Sequence, residues 1–211
     1  MNFNEIANIV EAIHEPPAGK KGCLVLDIDD TLLRADTSKI GIWKEKPGEA
    51  PKRLSSDEFA KDPDATHEEW FSYREFRDPE KVYNSIVSGT PILKNLKLMD
   101  AHVRANWDVA FLTARGLQDV VDKALRAFLM TRTKDGKLVP IGDKLKKELS
   151  AGVNDASWDG IAAKTPERKA MVLKDICSKY DYVKFVDDDV KNIEFVKSLK
   201  LPNLQVITAQ K

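Results

Sequence analysis

Cysteine is scarce in this chain of 211 residues: Cys23 and Cys177 are the only two. Both lie in apolar stretches, and so read as reduced core thiols rather than a disulfide framework, the usage expected of a cytoplasmic protein. Net charge is missing too. Lys+Arg and Asp+Glu number 34 each, so no overall field draws the chain to nucleic acid or to a membrane surface. No apolar run approaches the ~18 residues that a membrane span needs, and the first residues lack the basic-then-apolar pattern of a secretory signal. There is no Gly-x-x-x-x-Gly-Lys-Ser/Thr loop, which excludes a P-loop kinase domain. Internal repeats and low-complexity tracts are lacking as well. The remaining balance, 42% hydrophobic and 32% charged, fits one globular domain with an insertion, or two small ones.

The most informative stretch is Leu24-Val25-Leu26-Asp27-Ile28-Asp29-Asp30-Thr31-Leu32. Its apolar start reads as a strand buried on both faces, and it stops abruptly in carboxylates. A carboxylate at the end of a buried strand is costly unless a cation or hydrogen-bond donors meet it. Side chains alternate along a strand, so Asp27 and Asp29 can share a cleft while Ile28 turns away. Two like charges so close invite a divalent metal and push their pKa values apart, which suits one nucleophile and one acid/base. An acidic turn after a core strand is the plainer alternative.

Before this stretch, Phe3, Ile6, Val10 and Ile13 carry helical spacing over residues 3–14. After it, residues 34–88 mix Gly41, Pro47, Gly48, Pro51, Pro63 and Pro79 with scattered aromatics, the composition of an insertion built from short elements and loops. Within it, residues 57–80 hold nine acids against three Lys/Arg, which reads as a solvated face. Regular alternation then resumes. Thr90-Pro91 has the form of a helix cap followed by a first-turn proline, ahead of the stripe Ile92, Leu96, Met99 and Val103, with Asn106 closing the helix. The strand Val109–Leu112 ends in Thr113-Ala114-Arg115-Gly116. A helix from Leu117 to Met130 turns Val120, Val121, Leu125, Phe128 and Leu129 inward, and Asp135-Gly136 signals a turn between possible strands. Residues 123–147 hold eight Lys/Arg against two acids. Thr165-Pro166-Glu167 opens a further helix with Met171, Val172, Leu173, Ile176 and Cys177 inside. The strand Tyr182–Val186 ends in Asp187-Asp188-Asp189. A helix with Val190, Ile193, Val196 and Leu199 and a last strand, Leu204–Ile207, complete the pattern.

Strands alternating with helices predict an α/β fold, a Rossmann-like parallel sheet flanked by helices. Ligands bind such sheets at the carboxyl ends of the strands. Three strands end there in Asp27, Thr113 and Asp187-Asp188. Singly, the later motifs are weak: Thr-x-Arg after a strand is a common helix cap, and a helical lysine is ordinarily solvated.

In their order, however, these residues resemble the motifs of the haloacid dehalogenase superfamily, over residues 22 to about 208 with the insertion left out. The segment from Lys169 through Tyr182-Val183-Lys184-Phe185-Val186-Asp187-Asp188, with Phe111-Leu112-Thr113-Ala114-Arg115, is similar to the phosphatase half of phage polynucleotide kinase-phosphatases. The resemblance implies a single domain over 1–211 with a cap at 34–88, and a phosphatase acting through an aspartyl-phosphate. In it, Asp27 is the nucleophile and Asp29 the general acid/base, an acid that dehalogenase members lack. Thr113, Arg115 and Lys169 bind the phosphoryl group, and Asp27, the Asp29 carbonyl and Asp188 hold Mg²⁺. Lys164, ahead of the Thr-Pro helix start, competes with Lys169 for the lysine role, and the roles of Asp187, Asp189 and Asn192 stay open. The implied substrate is a phosphorylated nucleic-acid 3′ end or nucleotide. A small-metabolite or 5′-nucleotide phosphatase, or a non-catalytic binding protein on the same fold, are the alternatives. No membrane and no protein partner is expected.

Overall fold

The computed structural model describes residues 15–136 and 138–210; the helix expected over 3–14 lies outside them. Its centre is β1 (Gly22–Leu26), every residue of which is buried. Five parallel strands form the main sheet. Beside β1 lie β7 (Asp108–Thr113) and then β8 (Ala151–Gly152) on one side, and β9 (Tyr182–Asp187) and then β10 (Leu204–Thr208) on the other. The architecture is therefore α/β, as alternation predicts, with helices on both faces. The chain moves outward from β1 through β7 and β8, then returns to the opposite side of β1 for β9. That reversal opens a crevice at the strands' carboxyl ends.

Strand alternation sorts the core into two layers. Leu24 and Leu26 of β1, Val109 and Phe111 of β7 and Val186 of β9 join one cluster, with α3 (Leu93–Arg104) and α4 (Gln118–Lys134). Cys23 and Val25, Ala110 and Leu112, and Val183 and Phe185 join the other, with α5 (Thr165–Lys179) and α6 (Val190–Ser198). Both cysteines are free thiols. β8 went unforeseen because a two-residue strand carries no periodic signal.

Segment 34–88 contributes nothing to this sheet. β2 (Leu33–Arg34) pairs antiparallel with β6 (Thr90–Pro91), so the segment leaves and rejoins the body at one ribbon. Between them β3 (Ile42–Lys44) pairs with β4 (Lys52–Leu54) and β5 (Phe71–Ser72). The small helix α1 (Ser56–Ala60) follows β4, and α2 (Pro79–Val87), capped by Asp78, packs on α4. Ile42, Leu54 and Phe71 form a small core of their own.

Several local expectations are corrected. Thr90-Pro91 is a strand, not a cap, because it pairs with Arg34 and Leu33; α3 begins at Leu93 with no side-chain cap. Asp135-Gly136 does not join two strands. It ends α4, which runs on to Lys134, and Gly136 takes the positive φ of a helix terminus. Met171 and Val190 are exposed, since the inward stripe of α5 is Lys169, Ala170, Leu173 and Ile176 and that of α6 is Asn192, Ile193 and Val196. Cys177 and Val172 are half-buried. The acidic run 57–80 is not merely a solvated face. Asp62 and Asp64 hold Lys44 at 2.7 and 2.8 Å, and Glu75 is buried.

Glu75 ties segment 34–88 together. Its carboxylate accepts from Gly41 N–H at 2.8 Å and Trp43 Nε1–H at 2.9 Å, and pairs with Arg53 at 3.0 Å and Lys81 at 2.9 Å. Burial pushes this carboxyl up, but Arg53, Lys81 and Trp43 outweigh it and hold it at about 2. A carboxyl depressed in the fold is protonated first in the unfolded chain. Its contribution is therefore complete above the ordinary value of 4.5 and is lost as pH falls toward about 2. Glu75→Gln is expected to lower stability at neutral pH, with the gap from wild type closing over that window, as read by denaturant unfolding at a series of pH values.

Candidate functional site

Parity along the strands builds the site. Asp27 continues β1 on the face of Cys23 and Val25, and Asp187 ends β9 on the face of Val183 and Phe185, so both carboxylates meet α5. The Asp27 N–H donates to the Val186 carbonyl at 2.9 Å, extending the ladder by one residue and bringing Asp27 beside Asp187. Lys169, on the inward stripe of α5, reaches both. Its Nζ donates to Asp27 Oδ1 and to Asp187 Oδ2, each at 2.7 Å. Lys169 is 1% exposed and Asp187 fully buried.

Asp187 is held further by Asn192 Nδ2, at 3.1 and 3.2 Å to its two oxygens, and by the Asp189 N–H at 2.8 Å. Asn192 and Asp187 are thus a positioning pair for the lysine, and Asp189 caps α6 through the Lys191 N–H. Asp188, next along the chain, is half-buried. One oxygen each from Asp27, Asp187 and Asp188 lies within 4.8 Å of the others. Lys164 lies elsewhere: it is exposed at the start of α5, where its N–H donates to Glu167 Oε2 at 2.7 Å.

Asp29 faces the other side of the crevice and lies at its mouth, its side chain 38% exposed. Arg115 grips it with a two-toothed pair, Nε to Oδ2 and Nη2 to Oδ1, each 2.7 Å. The arginine is itself buried. Thr113 is buried, and its hydroxyl oxygen accepts the Arg115 backbone N–H at 3.1 Å, a bond that leaves the hydroxyl hydrogen for another acceptor. The turn carrying Thr113 and Arg115 lies hard against the segment after β8. A Cβ on Gly116 would meet the Asn154 carbonyl at 2.7 Å, and one on Gly152 the Arg115 carbonyl at 2.6 Å. Glycine at both positions permits that approach. Just after Asp29, Asp30 takes a φ of 54°, turning the chain away from the strand end toward β2.

A cleft of about 790 Å³ opens beside Asp29 and Arg115. Tyr73, Phe76 and Arg77 line it from segment 34–88, and Leu117, Asn154 and Asp159 from the body. Among the described residues of the basic run 123–147, none lines it. Arg126 and Lys147 pair with Asp122, and Lys146 with Asp108.

Charge accounts for the chemistry available here. Asp27, Asp29, Asp187 and Asp188 face two cations, Lys169 and Arg115. Burial pushes the Asp27 carboxyl up, with Lys169 pulling against it and Asp187 and Asp29 adding to it. Burial disfavours the Lys169 ammonium, yet Asp27 and Asp187 prevail and hold it charged. A hard divalent cation among Asp27, Asp187 and Asp188 could balance the remaining negative charge, and carboxylate oxygens are the donors Mg²⁺ prefers.

Sequence reasoning assigned no role to Ser85, which meets Arg115, and left Asp187 and Asn192 without roles. The clue for Ser85 was its place on the apolar stripe of α2, between Val82 and Ile86. Comparison with models of known protein families finds no match, and comparison with curated proteins finds none.

The two sides of the buried ion pair are expected to respond oppositely. Lys169→Met leaves two carboxylates facing each other and lowers stability by about 3–5 kcal/mol. Asp27→Asn removes a buried charge beside Asp187 and Asp29, so stability holds or rises. Denaturant unfolding of both variants in EDTA checks the contrast.

Proposed function

We propose that the chain is a Mg²⁺-dependent phosphomonoester hydrolase of the haloacid dehalogenase type, acting through an aspartyl-phosphate. The observation that carries this reading is the pair Asp27 and Asp187, at the ends of adjacent parallel strands, bridged by buried Lys169 with Asp188 alongside. Lys169 engages one oxygen of Asp27, and the other attacks phosphorus. A P–O bond to Asp27 forms as the bond to the leaving oxygen breaks. Asp29, protonated on an oxygen released from Arg115, donates that proton to the leaving oxygen, then takes one from the water that attacks the acyl-phosphate, releasing inorganic phosphate and restoring Asp27. Thr113 and Arg115 donate to the phosphoryl oxygens, and Lys169 offsets charge on the transferring group, where most of the rate enhancement lies. Asp27 and Asp188, with Asp187 close by, would hold Mg²⁺, which when bound would supply Lewis-acid stabilisation of that charge.

The cleft supports a nucleotide or a nucleic-acid 3′ end as substrate. Tyr73 and Phe76 bring aromatic rings to the cleft that suit a base, and Arg77 a charge that suits a phosphate. The zero net charge argues against a long nucleic-acid track and leaves recognition to the terminal unit. A small-metabolite or 5′-nucleotide phosphatase is the second reading, favoured by the same limited cleft volume.

Hydrolysis of p-nitrophenyl phosphate with Mg²⁺, and its loss in EDTA, is the expected result. Asp27→Asn is expected to lower kcat at least about a thousandfold while the protein stays folded. Asp188→Ala raises the Mg²⁺ concentration needed for half-maximal rate, and Ca²⁺ inhibits because its looser coordination disturbs the in-line geometry. Turnover that survives EDTA overturns the metal assignment, and near-normal turnover by Asp27→Asn overturns the nucleophile. A panel of 3′-phosphorylated oligonucleotides, 5′-nucleotides and sugar phosphates separates the two substrate readings.

A further inference from the structure

Arg115 is anchored from outside the parallel sheet. With Nε and Nη2 given to Asp29, its third nitrogen, Nη1, donates to Ser85 Oγ at 3.0 Å. Ser85 belongs to α2 of segment 34–88 and is fully buried. Its own hydroxyl hydrogen is committed to the Val82 carbonyl, 2.9 Å away in the same helix, so its oxygen faces the guanidinium as an acceptor. Neighbouring positions on that face of α2, Val82 and Ile86, are apolar and buried. A hydroxyl among them forgoes apolar burial, and the atom it meets is a buried guanidinium nitrogen. Phe76 adds a second contact from the same segment, its ring centre 5.9 Å from Arg115 Cζ.

A guanidinium is a planar fork, so fixing Nη1 sets the direction of the opposite edge, Nε and Nη2. That edge holds Asp29 and points at the cleft mouth. We propose that Ser85 is a positioning residue for the reaction: through Arg115 it fixes where the Asp29 carboxylate stands and where the guanidinium meets a phosphoryl group. This rests on the phosphatase reading, and it makes segment 34–88 a working part of the site rather than only a cover. Ser85 touches neither substrate nor metal. Its whole contribution passes through one nitrogen.

A double-substitution cycle on kcat/KM for p-nitrophenyl phosphate with Mg²⁺ tests the route. Ser85→Ala removes the acceptor and favours the helix, so the protein stays folded. Its kcat/KM is expected to fall on the order of tenfold, the worth of one hydrogen bond to a charged group. Arg115→Lys keeps the charge but cannot span Ser85 and Asp29 together, and it is expected to lose more. If Ser85 acts through Arg115, adding Ser85→Ala to Arg115→Lys costs little further. Ser85→Cys, close in size with a poor acceptor, gives the same test should the alanine variant fail to fold. Losses that multiply in the double variant, or a Ser85→Ala variant as active as wild type, overturn the assignment of Ser85 alone. A wild type that hydrolyses no phosphomonoester overturns the phosphatase reading and this assignment with it.

Discussion

The Lys169 bridge between Asp27 and Asp187 is the contact on which the rest depends. Two carboxylates at the ends of adjacent parallel strands, both buried, repel each other and lack water, and either condition alone raises the cost of folding. A cation placed between them from the helix behind the sheet changes that balance. It fixes the register of α5 against β1 and β9, since Lys169 must sit on the inward stripe with Ala170, Leu173 and Ile176. Met171 is turned out as a result. Asn192 and the Asp189 N–H then take up the remaining capacity of Asp187, which sets the start of α6. One ion pair thereby relates two strands and two helices.

The opposite wall of the crevice is arranged by a second cation with different partners. Arg115 holds a half-exposed carboxylate rather than two buried ones, and it leans on a helix outside the sheet. Lys169 is locked within the body, whereas Arg115 lies at a boundary between the body and segment 34–88. Of the Arg115–Asp29 pair, Asp29 is the exposed member at the cleft and Arg115 the buried one. The division fits the roles proposed for Asp27 and Asp29.

Much of this was legible in the residues. The strand that ends in Asp27, the later strands ending in Thr113 and Asp187, and the helix opened by Thr165-Pro166 all follow from period and punctuation, because long elements repeat their signal. What was missed depends on tertiary pairing. Thr90-Pro91 carries the chemistry of a helix start, and only its partner strand, Leu33-Arg34, makes it a ribbon. Asp135-Gly136 is a turn signal in either reading, and whether strand or helix precedes it is decided by the packing of α4. Glu75 stands in an acidic run whose other members gave no hint that one would be buried beside Arg53 and Lys81. Ser85 could be seen as an oddity on an apolar stripe, but nothing in its neighbours names an arginine thirty positions on.

The ribbon of β2 and β6 bears on how such a chain can change over generations. Because the segment departs and returns beside the pairs Leu33–Pro91 and Arg34–Thr90, its root is held at the spacing of paired strands, about 5 Å. From the sheet's side it is a loop closed at its root, and doubling a loop's length costs only about 0.6 kcal/mol in closure entropy. Chain can accordingly be gained, lost or exchanged above that root with little disturbance to the strands below. The segment is held by the packing of α2 on α4, with Val82 and Ile86 in the main core, and by the hydroxyl of Ser85 on Arg115. A lineage that rebuilds the segment has that apolar face to keep covered and one guanidinium nitrogen to satisfy.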